Sequence, residues 1–586
     1  VTSLPKALFC TAAGGRYGIG HLRRCLSLIE AGKSWFESYL YIMKGDNRYP
    51  EVSSRYRTVT NLNDIPAIDL IVSDMRDTKL HEMRRLERIA PIVSIDDKGA
   101  ARGRAPVCIY SLPQREVIQG NYLGPSFIVL DTRIQDCTPL SFGEKQGITV
   151  SFGGSDPENL TEYVTRLLNE VGVYPTIVKG PLYRHDTSML KGEIVEGGDD
   201  IFDLINRSKV LITSFGITMY EAFYLKTPVI LFNRTKYHYE LGCKTSAVNL
   251  GFKGKRTQKE LAGELEREIK MESMLAESAE RNSSVVDGMG ALRVAAIIKR
   301  ALDAVRRDCL LSHKRYRVMR RSEDFSIIQC RRCRDIFLYE LKDRGAVYDD
   351  PDYFFDDYKR RYGKSYIDDR DNIVKLGDDR IRTIQEIKGG KGRLLDVGCA
   401  MGFFLDLAKG RGWEVQGVEV SAYAAGWARE KLELDVINAD FLDVEIEPAS
   451  FDAVCFFFVA EHFKNIEDVV EKAYVILKKG GIICMALPNR GGVSFRFNRQ
   501  LYLDQRPRDH YFDTNSKNLN RFLETYGFKC ARIRVTGIHP ERFFKRFFPE
   551  KTNGDTSIPL WVEKMYSGLA RKVSLGDTFE YYAIKE

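Results

Sequence analysis

No segment of this chain approaches the roughly 20 consecutive apolar residues that a membrane-spanning helix requires, so a bilayer span is not expected. A long Lys/Arg block and an RNA-binding signature are missing as well. The 89 basic and 81 acidic side chains leave a net charge of only +8, which suits attraction to anionic substrates and gives no reason to invoke nucleic acid. Metal-like cysteine spacing is scarce. Of twelve cysteines, only Cys330 and Cys333 are spaced like paired ligands. Others, such as Cys10, Cys25, Cys399, Cys455 and Cys484, fall in apparent strands and helices, as small buried thiols do in a reducing compartment. The first residues, VTSLPKALFC, run straight into a strand-like segment with no signal-peptide pattern, so the expected location is cytoplasmic.

What is present is core-forming material. A hydrophobic content of 44% and a charged content of 29% are those of a globular protein. The length of 586 residues exceeds a single core and implies roughly three or four folding units. From residue 5 to about 300, short β-branched runs (LIVSD at Leu70, IVSID at Ile92, ITVSFGG at Ile148, VLITSFG at Val210, PVILFN at Pro228) alternate with longer charged helical segments. That alternation predicts a parallel-sheet α/β fold. A polar, glycine-containing stretch at Thr138–Gly147 divides it into subdomains 1–140 and 141–305, with a ligand cleft expected between them. Residues 306–390 hold a basic run, the Cys pair and the acidic aromatic stretch YDDPDYFFDDYKRRYGKSY, and read as a connector. A third α/β pattern fills 391–586. The tract ERFFKRFF at Glu541 reads as a half-buried helix in preference to a membrane-touching one.

In GGRYGIGH, Gly14 to His21, glycines lead into a helix, so free N–H groups and His21 project together, a place for a phosphate and a base. Gly18 and Gly20 are the glycines nearest that histidine. Two further strand–turn–helix starts follow, at Gly153, Gly154, Ser155 and Asp156 and at Gly216 to Thr218; these can hold a diphosphate, while Glu221 can bind ribose hydroxyls. These segments, with SIDDKGA at Ser94, YLGPSFIVL at Tyr122 and SSVVDGMGALRVAAII at Ser283, resemble the glycosyltransferase-B-like nucleotide-sugar hydrolases of the pseudaminic acid pathway and the SpsG-type spore-coat polysaccharide proteins, over residues 5–300. The resemblance implies a UDP-sugar ligand and His21 as the base that activates water at the anomeric carbon. The chain departs from that family in NRTKYHYELG, where Lys236, Tyr237 and His238 stand near the usual Asn-Gln, which bears on sugar specificity and on hydrolysis itself.

In LLDVGCAMGFFL an apolar strand ends at Asp396, and Gly398 and Gly402 let the backbone turn closely round a ligand. About twenty residues on, EVQGVEVS ends a second strand at Glu419, placed for ribose hydroxyls. NADF adds Asp440 for an exocyclic amine and Phe441 as an aromatic face. Because the further glycines of GxGxxG spacing are missing, NAD is disfavoured. In this order the pieces resemble class I S-adenosylmethionine-dependent methyltransferases, over about 392–586. The resemblance places the cofactor's methionine at Gly398–Gly402, its ribose at Glu419 and its adenine at Asp440 and Phe441. Methyl transfer needs an oriented nucleophile and often a base. Glu461 and His462 end the fourth strand, so His462 is the first base candidate and His510 in DHYF the second. Upstream, QCRRCRDIF resembles half of the zinc ribbon that precedes sugar C-methyltransferase cores. Its partner half carries Cys309 and Ser312, with His313 as the substitute ligand in a Cys309, His313, Cys330, Cys333 set. A degenerate ribbon folding without metal is the preferred reading, zinc the alternative.

The expected protein is therefore α/β throughout, with a GT-B-like pair of Rossmann-type subdomains, a small zinc-ribbon-like and helical connector, and a class I methyltransferase domain. The expected function is bifunctional, a nucleotide-sugar (UDP-sugar) hydrolase fused to a methyltransferase acting on a sugar or glycoconjugate. The alternatives are a GT-B glycosyltransferase in the first half, or a non-catalytic binding module there. The oligomeric state is not legible in the sequence.

Overall fold

A computed structural model describes residues 3–14, 17–45, 49–114, 120–198, 201–253, 257–304, 309–313, 315–342, 354–356, 358–359, 363–537, 560–573 and 575–586. The tract from Glu541 and parts of the acidic aromatic stretch lie outside the described residues. The chain forms two compact units: one of Val1–Arg307, Arg317–Ser326 and Glu340–Lys342, the other of Asp308–Tyr316, Ile327–Tyr339 and Asp343–Glu586. Among the described residues no helix is long and apolar enough to cross a membrane.

The first unit contains two parallel sheets. One is built from β1 (Lys6–Ala13), β2 (Glu37–Gly45), β3 (Thr58–Val59), β4 (Leu70–Asp74), β5 (Ile92–Ile95), β6 (Val107–Tyr110) and β7 (Tyr122–Leu123), in the order β3-β2-β1-β4-β5-β6-β7. The other is built from β8 (Gln146–Val150), β9 (Thr176–Lys179), β10 (Glu193–Glu196), β11 (Ser208–Thr213), β12 (Val229–Asn233) and β13 (Val248–Phe252), in the order β10-β9-β8-β11-β12-β13. Strands covered on both faces read as continuous apolar runs. Accordingly Leu70, Ile71 and Val72 of β4 and Val229, Ile230 and Leu231 of β12 are buried. Strand order reverses between β1 and β4 and again between β8 and β11. Ligands of such sheets bind beyond the carboxyl ends of the strands at these reversals.

Along the chain come β14 (Tyr316–Arg321), β15 (Phe325–Cys330) and β16 (Ile336–Glu340). The second unit is organised by β17 (Arg393–Val397), β18 (Glu414–Glu419), β19 (Val436–Asn438), β20 (Phe451–Phe457), β21 (Leu477–Pro488), β23 (Phe528–Thr536) and β24 (Thr578–Lys585), in the order β19-β18-β17-β20-β21-β24-β23. All neighbours are parallel except β24, which runs antiparallel to both β21 and β23. Between β21 and β23, the short β22 (Phe512–Asp513) pairs antiparallel with β16, Phe512 opposite Phe337 and Asp513 opposite Ile336. The reversal here falls between β17 and β20. Phe458, just past β20, sits at φ 59°, a conformation costing roughly 1–3 kcal/mol. Full burial of Phe451, Val454 and Phe456 on the same strand, worth about 1.5–3 kcal/mol each, outweighs it and fixes where the strand ends.

Candidate functional site

In the first unit, β1 gives way to a turn in which the Gly14 and Gly18 backbones pair with each other. Both glycines have positive φ, 93° and 71°, a region costly for residues with a Cβ. Helix Gly20–Gly32 then starts and carries His21 on its first turn. His21 Nδ1 lies 2.8 Å from Asp74 Oδ1, and Asp74 ends β4 on the far side of the reversal. Arg24, one turn along the same helix, donates to both Asp74 oxygens and, at 2.6 Å, to Asp96. Burial pushes the Asp74 carboxyl up, but the charge and hydrogen bonds of Arg24, with His21, outweigh it and hold the group at about 2. Asp74 is therefore a carboxylate, and it fixes the ring with Nδ1 as donor and Nε2 as the basic nitrogen.

His21 faces a cavity of about 730 Å³ that is lined as well by Gly18, Gly20, Gly153, Gly154, Ser155, Gly216, Thr218 and Glu221. The first two glycine turns meet there: a Cβ on Gly154 would lie 2.5 Å from Ile19, so only glycine permits the approach. Glu221 is buried, and that burial, partly offset by the charge of Arg23, pushes its carboxyl up to about 7. Asp156 differs from the sequence expectation. It does not line the cavity, and its carboxylate accepts from the N–H groups of Leu160 and Thr161 at 2.9 and 2.8 Å, capping helix Leu160–Glu170 as acidic residues at helix starts do. Tyr237 and His238 line the cavity whereas Lys236 does not.

Sequence reasoning missed Asp74 and a set of cations. Arg23, Lys98 and Arg234 line the cavity. Lys98 Nζ stands 3.7 Å from the centre of the Tyr237 ring, and burial with the charge of Arg76 brings it down to about 8. Burial, together with Arg234, Arg76 and Lys98, lowers His238 to about 4. The available signal for Asp74 was its place as the last residue of LIVSD, at the carboxyl end of a parallel strand.

In the second unit, Asp396 on β17, the turn at Gly398 and Gly402 (φ 69° and 79°) and Glu419 at the end of β18 come together. Glu419 accepts from Ala400 N at 2.8 Å and Ser421 N at 2.9 Å, which ties the first loop to the second strand. Asp396 is pushed up to about 8 by burial and by Glu419, against the opposing charge of Arg380. Asp440 is exposed, its Oδ1 accepting from Leu442 N at 2.8 Å. Phe441 is not the open face expected from the sequence: its ring is 2% exposed and packs edge-on against Phe456, 5.6 Å between centroids, and Phe463. The exposed apolar side chain beside Glu419 is Val420, at 40%.

Past β20, the short turn Ala460–His462 carries Glu461 and His462, and His510 folds against them, the two imidazole rings 4.8 Å apart and perpendicular. His462 Nδ1 lies 3.2 Å from Asp509 and His510 Nδ1 3.4 Å from Asp513. Burial pushes Glu461 up to about 7 against the pull of His462. Burial and the neighbouring His462 hold His510 down at about 4 in spite of Asp513, so it is a neutral imidazole.

The four residues of the expected ribbon also converge. The Cys309 sulfur is 3.4 Å from both His313 Nδ1 and Cys333 Sγ, and Cys330 Sγ is 3.6 Å from His313 Nδ1. All four ligand atoms lie within 4.8 Å of one another. Hydrogen bonds from Cys309 and Cys333 lower the Cys330 thiol. Three sulfurs and one imidazole, with His313 where the ribbon lost a cysteine, fit tetrahedral zinc in both donor type and number.

Residues 368–533 match the family described as "Methyltransferase domain". The chain is 32% identical over 160 residues to a ubiquinone biosynthesis O-methyltransferase of Azoarcus sp. (strain BH72), covering 25% of this chain and 69% of that protein. It is 22% identical over 275 residues to an uncharacterized protein of Methanocaldococcus jannaschii, covering 40% and 57%. A crystal structure of a SAM-dependent methyltransferase from Archaeoglobus fulgidus aligns at 21% identity and a TM-score of 0.30, covering 40% of this chain and all of that one. With that domain matched, and with the Gly398–Gly402 turn and Glu419 lying inside it, the chain belongs through its C-terminal unit to the S-adenosylmethionine-dependent methyltransferases.

Proposed function

We propose that the chain is a bifunctional enzyme of glycan or nucleotide-sugar biosynthesis: its N-terminal unit cleaves a UDP-sugar, and its methyltransferase domain modifies a sugar or glycoconjugate. The observation that carries the first half is the His21–Asp74 pair, 2.8 Å apart, at a strand-order reversal facing a cavity with three glycine turns. His21 Nε2 takes a proton from water, the water oxygen bonds to the anomeric carbon, and the bond from that carbon to the diphosphate oxygen breaks. The diphosphate leaves with the electron pair, its charge met by the turns at Gly153–Ser155 and Gly216–Thr218 and by Arg23, Lys98 and Arg234. Glu221 is the ribose partner. Release of UDP without any acceptor, abolished by His21→Ala, tests this reading; strict dependence on a sugar acceptor converts it to the glycosyltransferase, and UDP-sugar binding with no release under either condition to the binding module.

In the second half, Asp396 and the Gly398–Gly402 turn hold the methionine portion of S-adenosylmethionine, Glu419 its ribose, and Val420 with Asp440 its adenine. Glu461, His462 and His510 stand beside the loop: a Cβ on Gly398 would lie 2.5 Å from Val459, two residues before Glu461. The acceptor therefore gives up its proton at this cluster. Zinc at Cys309, His313, Cys330 and Cys333 would fix the hairpin that carries two of its ligands. Calorimetry with S-adenosylmethionine and mass spectrometry of the methylated product test the assignment.

A further inference from the structure

We propose that Glu461, His462 and His510 form a divalent-cation site beside the methyl-transfer centre, one that holds a hydroxyl-bearing acceptor by its oxygen. Its chemistry rests on the methyl-transfer reading, but its binding can be measured separately. One carboxylate oxygen and one nitrogen from each ring lie within 4.8 Å of one another. A side-chain adjustment of under about 1 Å brings such a trio to bonds of about 2.1 Å. The second observation is Glu461 Oε2: among the described residues it has no hydrogen-bond partner, in a side chain that is 1% exposed. A buried, unpaired carboxylate oxygen is costly, and a cation removes that cost.

The surroundings are those of a ligand set. Each histidine has a carboxylate behind Nδ1, Asp509 for His462 and Asp513 for His510. This arrangement selects the tautomer with Nε2 as electron-pair donor and raises its basicity toward a metal. Asp513 is itself held by Arg506 Nε at 2.6 Å, and Arg506 also donates to the His510 carbonyl. The Glu461 carbonyl accepts from Tyr511 N at 2.7 Å, so the two segments supplying ligands are locked together. One general base would need a single oriented imidazole; two imidazoles and an orphaned carboxylate exceed that need. Two nitrogens and one carboxylate select Mn²⁺, Fe²⁺, Co²⁺ or Zn²⁺ over all-oxygen Ca²⁺, and leave coordination positions open.

An acceptor hydroxyl bound at an open position becomes more acidic and loses its proton to water. Its oxygen then forms the O–CH₃ bond as the sulfonium S–CH₃ bond breaks, and that electron pair stays on sulfur. Vicinal hydroxyls, as on a sugar or a catechol, would fill two positions at once, which names the substrate class.

The test uses the full-length protein. Mn²⁺ is titrated with free ion counted by electron paramagnetic resonance, and zinc content is measured by elemental analysis, for the wild type, Glu461→Gln, His510→Gln and Cys330→Ser. S-adenosylmethionine binding by calorimetry runs alongside as a check of folding. One equivalent of Mn²⁺ in the wild type and in Cys330→Ser, at least tenfold weaker in Glu461→Gln and in His510→Gln, with cofactor binding retained, supports the site. Absent Mn²⁺ binding with intact cofactor binding, or equal Mn²⁺ binding in Glu461→Gln, overturns the cation site and leaves methyl transfer standing. Loss of S-adenosylmethionine binding in the wild type overturns both.

Discussion

The two units solve the same topological problem with opposite charge. Each places a glycine turn at a strand-order reversal, but Arg23, Lys98 and Arg234 join the acids Asp77, Asp96 and Asp131 in lining the cavity of the first unit, whereas Asp396 and Glu419 stand at the Gly398–Gly402 turn of the second. A cationic cleft suits a nucleoside diphosphate; an acidic one suits a sulfonium. The contrast extends to the buried acids. Asp74 has Arg24 against it and stays ionised, while Asp396 has no hydrogen-bonded cation among the described residues and is pushed up to about 8. On the proposed reading, sheet topology places a ligand, and the charges that line the turn select it.

The sharpest way to break this comparison is His21→Ala, expected to lower UDP release by about 10²- to 10⁴-fold with S-adenosylmethionine binding unchanged in calorimetry. A matching loss of cofactor binding would show that the two halves are not independent sites. Asp74→Asn should give a loss of up to about 10⁴-fold, through kcat more than KM, since it alters the tautomer and orientation of the ring and not substrate contact.

In the second unit, Glu419→Ala should weaken S-adenosylmethionine binding roughly 10- to 100-fold, the value of one or two hydrogen bonds to a charged group. The cleft of the first unit should keep its affinity for UDP in this variant, as read by fluorescence or calorimetry.

A subtler effect concerns protons. Burial and the nearby Glu419, against the opposing charge of Arg380, raise Asp396 to about 8, so the free protein holds it largely protonated at neutral pH, and a cationic ligand favours the ionised form. Binding should therefore release a proton near pH 7, and affinity should rise with pH until about 8 and then level off. Calorimetry in buffers of different ionisation enthalpy reads this directly; a buffer-independent heat would remove Asp396 from the ligand's field. The same raised carboxyl makes the free fold lose stability as pH rises from the ordinary carboxylate range toward 8, because the folded state keeps a proton that the unfolded chain has shed. Asp74 acts in the other sense: its stabilisation is complete above the usual carboxylate range and is lost as pH falls toward about 2.

The smallest expected effect is ionic. Raising salt should weaken UDP binding in the first cleft by a few-fold, since Arg23, Lys98 and Arg234 meet charge partly through solvent, and should move S-adenosylmethionine binding less, because Asp396 and Glu419 are buried and poorly screened.

Much of this was legible from residue order. The apolar runs at Leu70, Val210 and Leu394 are strands because burial on both faces demands unbroken hydrophobicity, and the turn after the last of them needed glycine at positive φ, at Gly398 and Gly402. That Asp396 and Glu419 lie together could be read because strand, turn and second strand are local and in sequence. Asp74 was not, because its partner His21 lies 53 residues away and nothing local marks a strand-end aspartate as an orienting group. Asp156 and Phe441 were misread for the converse reason. Each has the right chemistry at the right place in a motif, but the helix cap claimed one carboxylate and the core claimed one ring. His510 could be named from sequence, yet its approach to Glu461 and His462 depends on a turn and a short strand that only the folded chain brings together.

The pairing of β16 with β22 gives this last point a mechanical meaning. Leu338 N donates to the Tyr511 carbonyl at 2.8 Å, and Tyr511 N donates to the Glu461 carbonyl at 2.7 Å, so three backbone segments are laced in series. At one end is the knuckle with Cys330 and Cys333, at the other the turn with Glu461 and His462. The knuckle's hairpin and the Glu461–His462 turn thus share one peptide frame, so the backbone that positions the turn is held from two directions even when a thiol is lost.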